Sequence, residues 1–168
     1  MPEPALITNV TVDLDITGGW NGDLYAYLSH GSGFVVLLNR IGSTASNPGG
    51  SSVSGMNVEF SDSYLTDIHL SLANPLTGNF APDSRNVSPF TALNTDPRTA
   101  FFSSFDGLDP NGAWTLFFAD VSPLEVSTVQ SWSVNVGLAV PEPSSFALVV
   151  LAFALGLAWR AASRMQAR

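Results

Sequence analysis

The stretch VTVDLDIT, residues 10–17, alternates without a break. Val10, Val12, Leu14 and Ile16 are apolar, and Thr11, Asp13, Asp15 and Thr17 between them are polar. An extended chain turns successive side chains to opposite faces, so a period of two marks a strand with one face in a core and the other in water. The same alternation returns in Ile68-Leu70-Leu72, in Trp114-Leu116-Phe118 and in Trp132-Val134-Val136-Leu138. On that pattern His69 is expected to point from a strand into solvent, and His30, beside Gly31, to lie in a turn. GFVVLLNRI, residues 33–41, is almost continuously apolar and suits a strand covered on both faces. The pieces between, such as GSTASNPGGSSVSG (42–55) and DGLDPNG (106–112), are turn and loop chemistry. The expected fold is all-β, a jelly-roll or β-sandwich domain.

Charge is distributed unevenly along the 168 residues. All 14 acidic residues lie between Glu3 and Glu142, offset there only by Arg40, Arg85 and Arg98, which leaves the body near −11. Arg160, Arg164 and Arg168 make the end of the chain near +3. An acidic body repels phosphate backbones, which argues against nucleic acid as a partner. The chain has no cysteine, so disulfides are excluded.

The end of the chain changes character. VPEPSS (140–145) precedes FALVVLAFALGLAW (146–159), a run with no charge, no proline and one glycine, and Arg160 follows at once. Pro141 and Pro143 break regular structure before the run. Adding Ser144, Ser145, Ala161 and Ala162 gives a helix of about nineteen residues, about 28 Å long at a rise of 1.5 Å per residue. That suits a single transmembrane helix, and its arginines predict a cytoplasmic C-terminus with the body outside the cytoplasm. The expected organisation is a β-domain over 1–139, a linker over 140–145, a membrane helix over 146–159 and an Arg-containing cytoplasmic tail over 160–168.

The order Val140-Pro141-Glu142-Pro143-Ser144-Ser145, apolar helix and short end carrying Arg160 and Arg164 closely resembles the PEP-CTERM sorting signal of Gram-negative bacteria. The resemblance implies handling by an exosortase, a membrane protein with a cysteine nucleophile. It also implies a place in the cell envelope of an organism that makes extracellular polysaccharide, with the body released or surface-attached after processing. Proteins with this tail normally begin with a secretory signal peptide, whereas residues 1–19 have no basic start and carry Glu3, Asp13 and Asp15. The expectation is therefore that the true start lies upstream or that this is the C-terminal part of a longer protein.

In the body, Gly22-Asp23-Leu24 is followed by Gly112, Trp114, Leu116 and Asp120 in GAWTLFFAD, and then by Trp132 in VQSWSV. This order is similar to the P domain, or P/Homo B domain, that accompanies the subtilisin-like catalytic domain of furin- and kexin-type convertases. The likeness runs from about Leu6 to Leu138 and implies a jelly-roll barrel. Physically these residues suit architecture. Trp114 and Trp132 each carry a large apolar surface to bury and an indole N–H to pair. Gly112 permits a tight turn. Asp23 and Asp120 suit acceptance of backbone N–H bonds. A second reading makes some of Asp23, Asp62, Asp106, Asp109 and Asp120 ligands of calcium, which takes six to eight oxygens.

A serine protease needs a nucleophile, a histidine base and an orienting acid together. Only His30 and His69 are available, neither in a subtilisin-like motif, and no other catalytic signature is present. The expected function is that of a noncatalytic exported β-domain, sorted through its tail and serving as a binding or structural component of the envelope or exopolysaccharide. Trp20, Tyr25 and Tyr27 are aromatics able to stack on sugars. The alternative is the accessory P domain of a secreted subtilisin-like endopeptidase whose catalytic domain is absent from this chain.

Overall fold

A computed structural model describes residues 5–123 and 125–139. The alternating stretch lies within β1 (Leu6–Trp20), the longest strand. Ile7, Val10, Val12, Leu14 and Ile16 are buried on one side, while Thr11, Asp13, Asp15 and Thr17 face outward. The other strands are β2 (Leu24–His30), β3 (Gly33–Asn39), β4 (Ser54–Phe60), β5 (Leu76–Phe80), β6 (Thr115–Asp120) and β7 (Ser127–Ala139). They form a four-stranded sheet in the order β5-β4-β1-β7 and a three-stranded sheet in the order β3-β2-β6. β4 and β5 pair parallel and every other pair is antiparallel. The two sheets enclose one apolar core, to which β1 and β4 contribute from one side and β2 and β3 from the other. This all-β arrangement is a β-sandwich.

The core explains the sequence pattern strand by strand. Leu24, Ala26 and Leu28 of β2 are fully buried, so Tyr25, Tyr27 and Ser29 stand on the outer face. Val35, Val36, Leu37 and Leu38 of β3 are all fully buried. Their second cover is the long excursion between β4 and β6, which runs beside β3. There Val36 donates its N–H to Ala100, Ser84 to Val36 and Asp83 to Leu37. A strand hidden on both faces has no use for alternating polarity.

The reading of Ile68-Leu70-Leu72 as a strand is corrected. Ile68–Leu70 is a 3-10 turn, and the Asp67 carboxylate caps it by accepting the His69 N–H at 3.0 Å. Ile68 is buried, but Leu70 and Leu72 are 58% and 85% exposed, so the apparent period does not describe one buried face. His30 is likewise not a turn residue: it ends β2, and the turn is Gly31-Ser32.

Among the described residues no helix is long and apolar enough to cross a membrane. The span expected at 146–159 lies outside the described residues, as do Val140, Pro141, Glu142, Pro143, Arg160 and Arg164.

Replacing Leu28, fully buried between the sheets, by Ala is expected to cost about 2–5 kcal/mol. Replacing Thr128, exposed on β7, by Ala should stay within about 0.5 kcal/mol. Chemical denaturation of the two variants beside the parent measures both.

Candidate functional site

Three places gather chemically capable side chains: a buried ion cluster, a histidine–tryptophan stack and a half-buried aromatic face.

The ion cluster joins Asp67, His69, Asp83 and Arg85. The Arg85 guanidinium donates to Asp67 Oδ2 at 2.9 Å and to Asp83 Oδ1 at 3.2 Å. His69 Nδ1 meets Asp83 Oδ2 at 2.7 Å, and its Nε2 meets the Ser43 carbonyl at 3.0 Å. Both partners of the ring are acceptors, so only an imidazolium, with two N–H donors, satisfies both. His69 and Asp83 are fully buried, and Arg85 and Asp67 are nearly so. An unpaired charge at such depth is prohibitively costly, whereas two carboxylates against one guanidinium and one imidazolium close the balance locally. Arg98 adds an outer cation 3.7 Å from Asp67 and donates to the Pro82 and Asp83 carbonyls.

Local sequence builds this geometry. Asp67 and His69 flank Ile68, and Asp83 and Arg85 flank Ser84, so each segment offers an acid and a base two residues apart. Ser84 takes a left-handed backbone, φ 61°, with its N–H on Val36 and its carbonyl accepting from Thr99 and Ala100. The expectation that His69 points to solvent is overturned, because the turn carries the ring inward onto Asp83. The signal that sequence reading missed was the repeated Asp-x-base spacing, which gains meaning only when the two segments meet. With both ring nitrogens engaged and no exposed surface, His69 ties loops together.

Burial of His69 resists its charging, but the hydrogen bond and charge of Asp83, helped by the Ser43 carbonyl and opposed by Arg85, hold its pKa above the ordinary value of 6.5.

The second place is the end of β2. His30 is buried, with Nδ1 at 3.0 Å from the Ala113 carbonyl and Nε2 at 2.7 Å from the Asp109 carbonyl. Its ring lies flat on Trp114, centroids 4.1 Å apart and planes within 5°. Trp114 also packs on Phe105, and its indole N–H reaches the Pro110 carbonyl at 3.4 Å. Gly112, in the loop that closes over this stack, has φ 115°, a conformation that favours glycine.

The third place is the outer face of the three-stranded sheet. Tyr27 and Phe117 are directly paired across β2 and β6, with rings stacked 4.9 Å apart and 9° from parallel. Phe34 on β3 lies 5.0 Å from Tyr27, and Tyr25 lies 6.1 Å from Phe117. Phe117 is 42% exposed. Trp20, grouped with Tyr25 and Tyr27 by sequence, belongs to the other sheet and forms no ring pair with them.

The residues of the two body motifs meet. Leu24 pairs with Asp120, and Leu28 with Leu116, across β2 and β6. A Cβ on Gly22 would lie 2.4 Å from the Gly49 carbonyl oxygen and 2.5 Å from the Ser51 nitrogen, so the chain passes too close for any side chain. Asp23 sits 3.8 Å from Arg40. Burial raises its pKa, Arg40 pulls it back and Asp120 adds to the rise. Asp120 accepts the Ser122 N–H at 3.3 Å. The expectation of a buried tryptophan holds for half-buried Trp114 but not for Trp132, which is 40% exposed because β7 ends its sheet.

The five carboxylates weighed for calcium do not converge. Asp62 accepts the N–H groups of Phe102 and Ser103 and lines a surface cleft of about 260 Å³ with Asp106. Asp109 holds Asn111 in its own loop, which lowers its pKa, while Asp23 and Asp120 lie at the β2–β6 pair. Among the described residues no three His, Cys, Asp or Glu side chains form a metal-binding group. That spread does not fit an ion needing six to eight oxygens.

No family model matches the chain, no curated protein matches it, and no solved structure matches it.

The raised pKa of His69 fixes the sign of one pH effect. Its contribution to stability is complete below the ordinary histidine value and is lost as pH rises through the folded value. Denaturation midpoints measured across that range should fall with rising pH. Asp83→Asn, which removes the charge that holds the proton, should be less stable and lose most of that slope.

Proposed function

We propose that this chain is a noncatalytic β-domain that is exported, sorted through a PEP-CTERM-like tail and displayed in the cell envelope, where it binds extracellular polysaccharide. The observation that carries the reading is the aromatic face of Tyr25, Tyr27, Phe34 and Phe117 on the outer side of the three-stranded sheet. Adjacent rings held by a rigid sheet offer apolar area at little entropic cost, and sugar rings present C–H faces that pack on such surfaces. An acidic domain suits a neutral glycan better than a phosphate-bearing polymer. A noncatalytic role is supported by the two histidines, whose ring nitrogens all face acceptors within the fold.

A second reading, the accessory P domain of a secreted subtilisin-like endopeptidase with jelly-roll topology, is favoured by one observation. Leu24 of Gly-Asp-Leu pairs with Asp120, the aspartate four residues after Leu116 of Gly-x-Trp-x-Leu, across strands β2 and β6. An upstream reading frame carrying Asp, His and Ser protease motifs would decide for it.

Polysaccharide from an exosortase-bearing host is expected to retard the protein in affinity electrophoresis. The Tyr27→Ala/Phe117→Ala variant should lose at least about tenfold in affinity while keeping its fold. Equal retardation of parent and variant would refute this binding face.

In the same host the mature protein should lack peptides running from the body through Phe146, with a new C-terminus near 141–143. Mass spectrometry that recovers intact peptides across that segment would refute processing.

A further inference from the structure

The loop that runs from the 3-10 turn at Phe102–Phe105 to β6 is held by different means along its length. Its start is tied to β1 through the backbone. Gly107 donates to the Ile7 carbonyl at 2.8 Å, and Ile7 donates to that of Leu108 at 3.0 Å. The stretch from Asp109 to Ala113 has no such support. Asn111 donates twice to the Asp109 carboxylate within it, and the Trp114 indole reaches Pro110 from just beyond it. Among the described residues, its only hydrogen bonds to another element are the two that His30 makes with the Asp109 and Ala113 carbonyls. Neither carbonyl can donate. An imidazolium gives an N–H to each, whereas a neutral imidazole carries one N–H and turns a lone pair toward the other oxygen. His30 is 4% exposed, so a pair left unmade there has little recourse to water. The ring also lies flat on Trp114, whose face attracts a cation.

We infer that His30 is a proton-operated latch: as an imidazolium it holds Asp109–Ala113 down as a flap, and loss of one proton frees one end of that flap. The flap is closed at low pH and opens as pH rises. It forms a wall of a surface cavity of about 340 Å³ that His30, Gly31 and Leu108 also line, so the latch sets the shape of that cavity and the cover over Trp114. Few charges face the ring. Asp109, in the flap, feels the His30 charge, though its own bonds with Asn111 do more to lower its pKa. Asp106, before the flap, lines the separate cleft that it shares with Asp62. The neighbours on β3, β6 and the 102–105 turn are Gly33, Trp114 and Phe105, none of them charged. Arg40, Arg85 and Arg98 are engaged elsewhere, at Gly22, Asp67 and Pro82. His69 differs, because its loss of a proton strips a buried carboxylate of its partner charge. The partners of His30 are neutral carbonyls, so its deprotonation strands no anion and the change stays local.

The chain has 2 histidines, so nitrogen-15 spectra of the imidazole rings separate them, and His30→Gln identifies the signals of His30. In the full chain, held in nonionic detergent, the His30 ring should carry a hydrogen on each nitrogen at low pH and on one alone at high pH. The backbone amide signals of Asn111, Gly112 and Ala113 should move with the same midpoint as the ring. Their order parameters should fall from about 0.85 to below about 0.6 across it, while those of Val10–Ile16 on β1 stay high. In His30→Gln, whose amide offers donors from one nitrogen only, the flap signals should lose this pH dependence. A His30 ring whose hydrogen count does not change across the range in which the fold persists would overturn the inference. So would flap amides that do not follow the ring, or order parameters that are equal on both sides of the midpoint. If His30→Gln does not fold, the parent titration decides alone, with His30 recognised by its Overhauser contacts to Trp114.

Discussion

The strip formed by Ile7, Val10, Val12, Leu14 and Ile16 is the surface on which the rest of the molecule closes. β1 pairs on both sides, with β4 and β7, and its inward side chains meet those of β2 and β3 across the core. Because side chains alternate with a period of two, a slip of one residue in either pairing would drive Asp13 and Asp15 into that core. The cost of burying carboxylates without partners therefore fixes the register of the sheet as firmly as the gain from burying valine and leucine. Outside, the same aspartates find Asn57, Ser133 and Asn135 as donors.

The excursion between β4 and β6 solves a different problem. It contains a single regular strand, β5, and two short 3-10 turns, yet it must cover the outer side of β3. Few sheet hydrogen bonds are available to it, and the buried cluster of Asp67, His69, Asp83 and Arg85 fixes its path instead. The cluster draws on the turn before Leu70, the segment beside β3 and the Ser43 carbonyl. Each charge is tolerable only while the others are in place, so the loops it ties are held in one arrangement. His30, between the Ala113 and Asp109 carbonyls, does similar work for the loop before β6.

The aromatic face belongs to the outer side of the three-stranded sheet, and the uncharged edge of β7 belongs to the four-stranded sheet.

Much of the fold was legible in the chain. The alternation at 10–17, the uninterrupted apolar run at 33–41 and the pattern at 132–138 each match the strand observed there. Trp20, Tyr25 and Tyr27 could be named as aromatics able to stack on sugars, but not that Trp20 lies on the other sheet or that Phe34 and Phe117 join the two tyrosines, which depends on the register of β2 with β3 and β6. The motif at 68–72 misled because three apolar residues two apart satisfy a period without sharing a buried face. At 10–17, 33–41 and 132–138 local sequence determined the strand, because a two-residue period or an unbroken apolar run acts between near neighbours. Tertiary structure alone decided that His69 meets Asp83, that Trp132 is left on an edge and that the five weighed carboxylates divide among Asp62 with Asp106, Asp23 with Asp120, and Asp109 in its own loop. Those outcomes depend on which distant segments pack together, and no spacing along the chain encodes the distance between them.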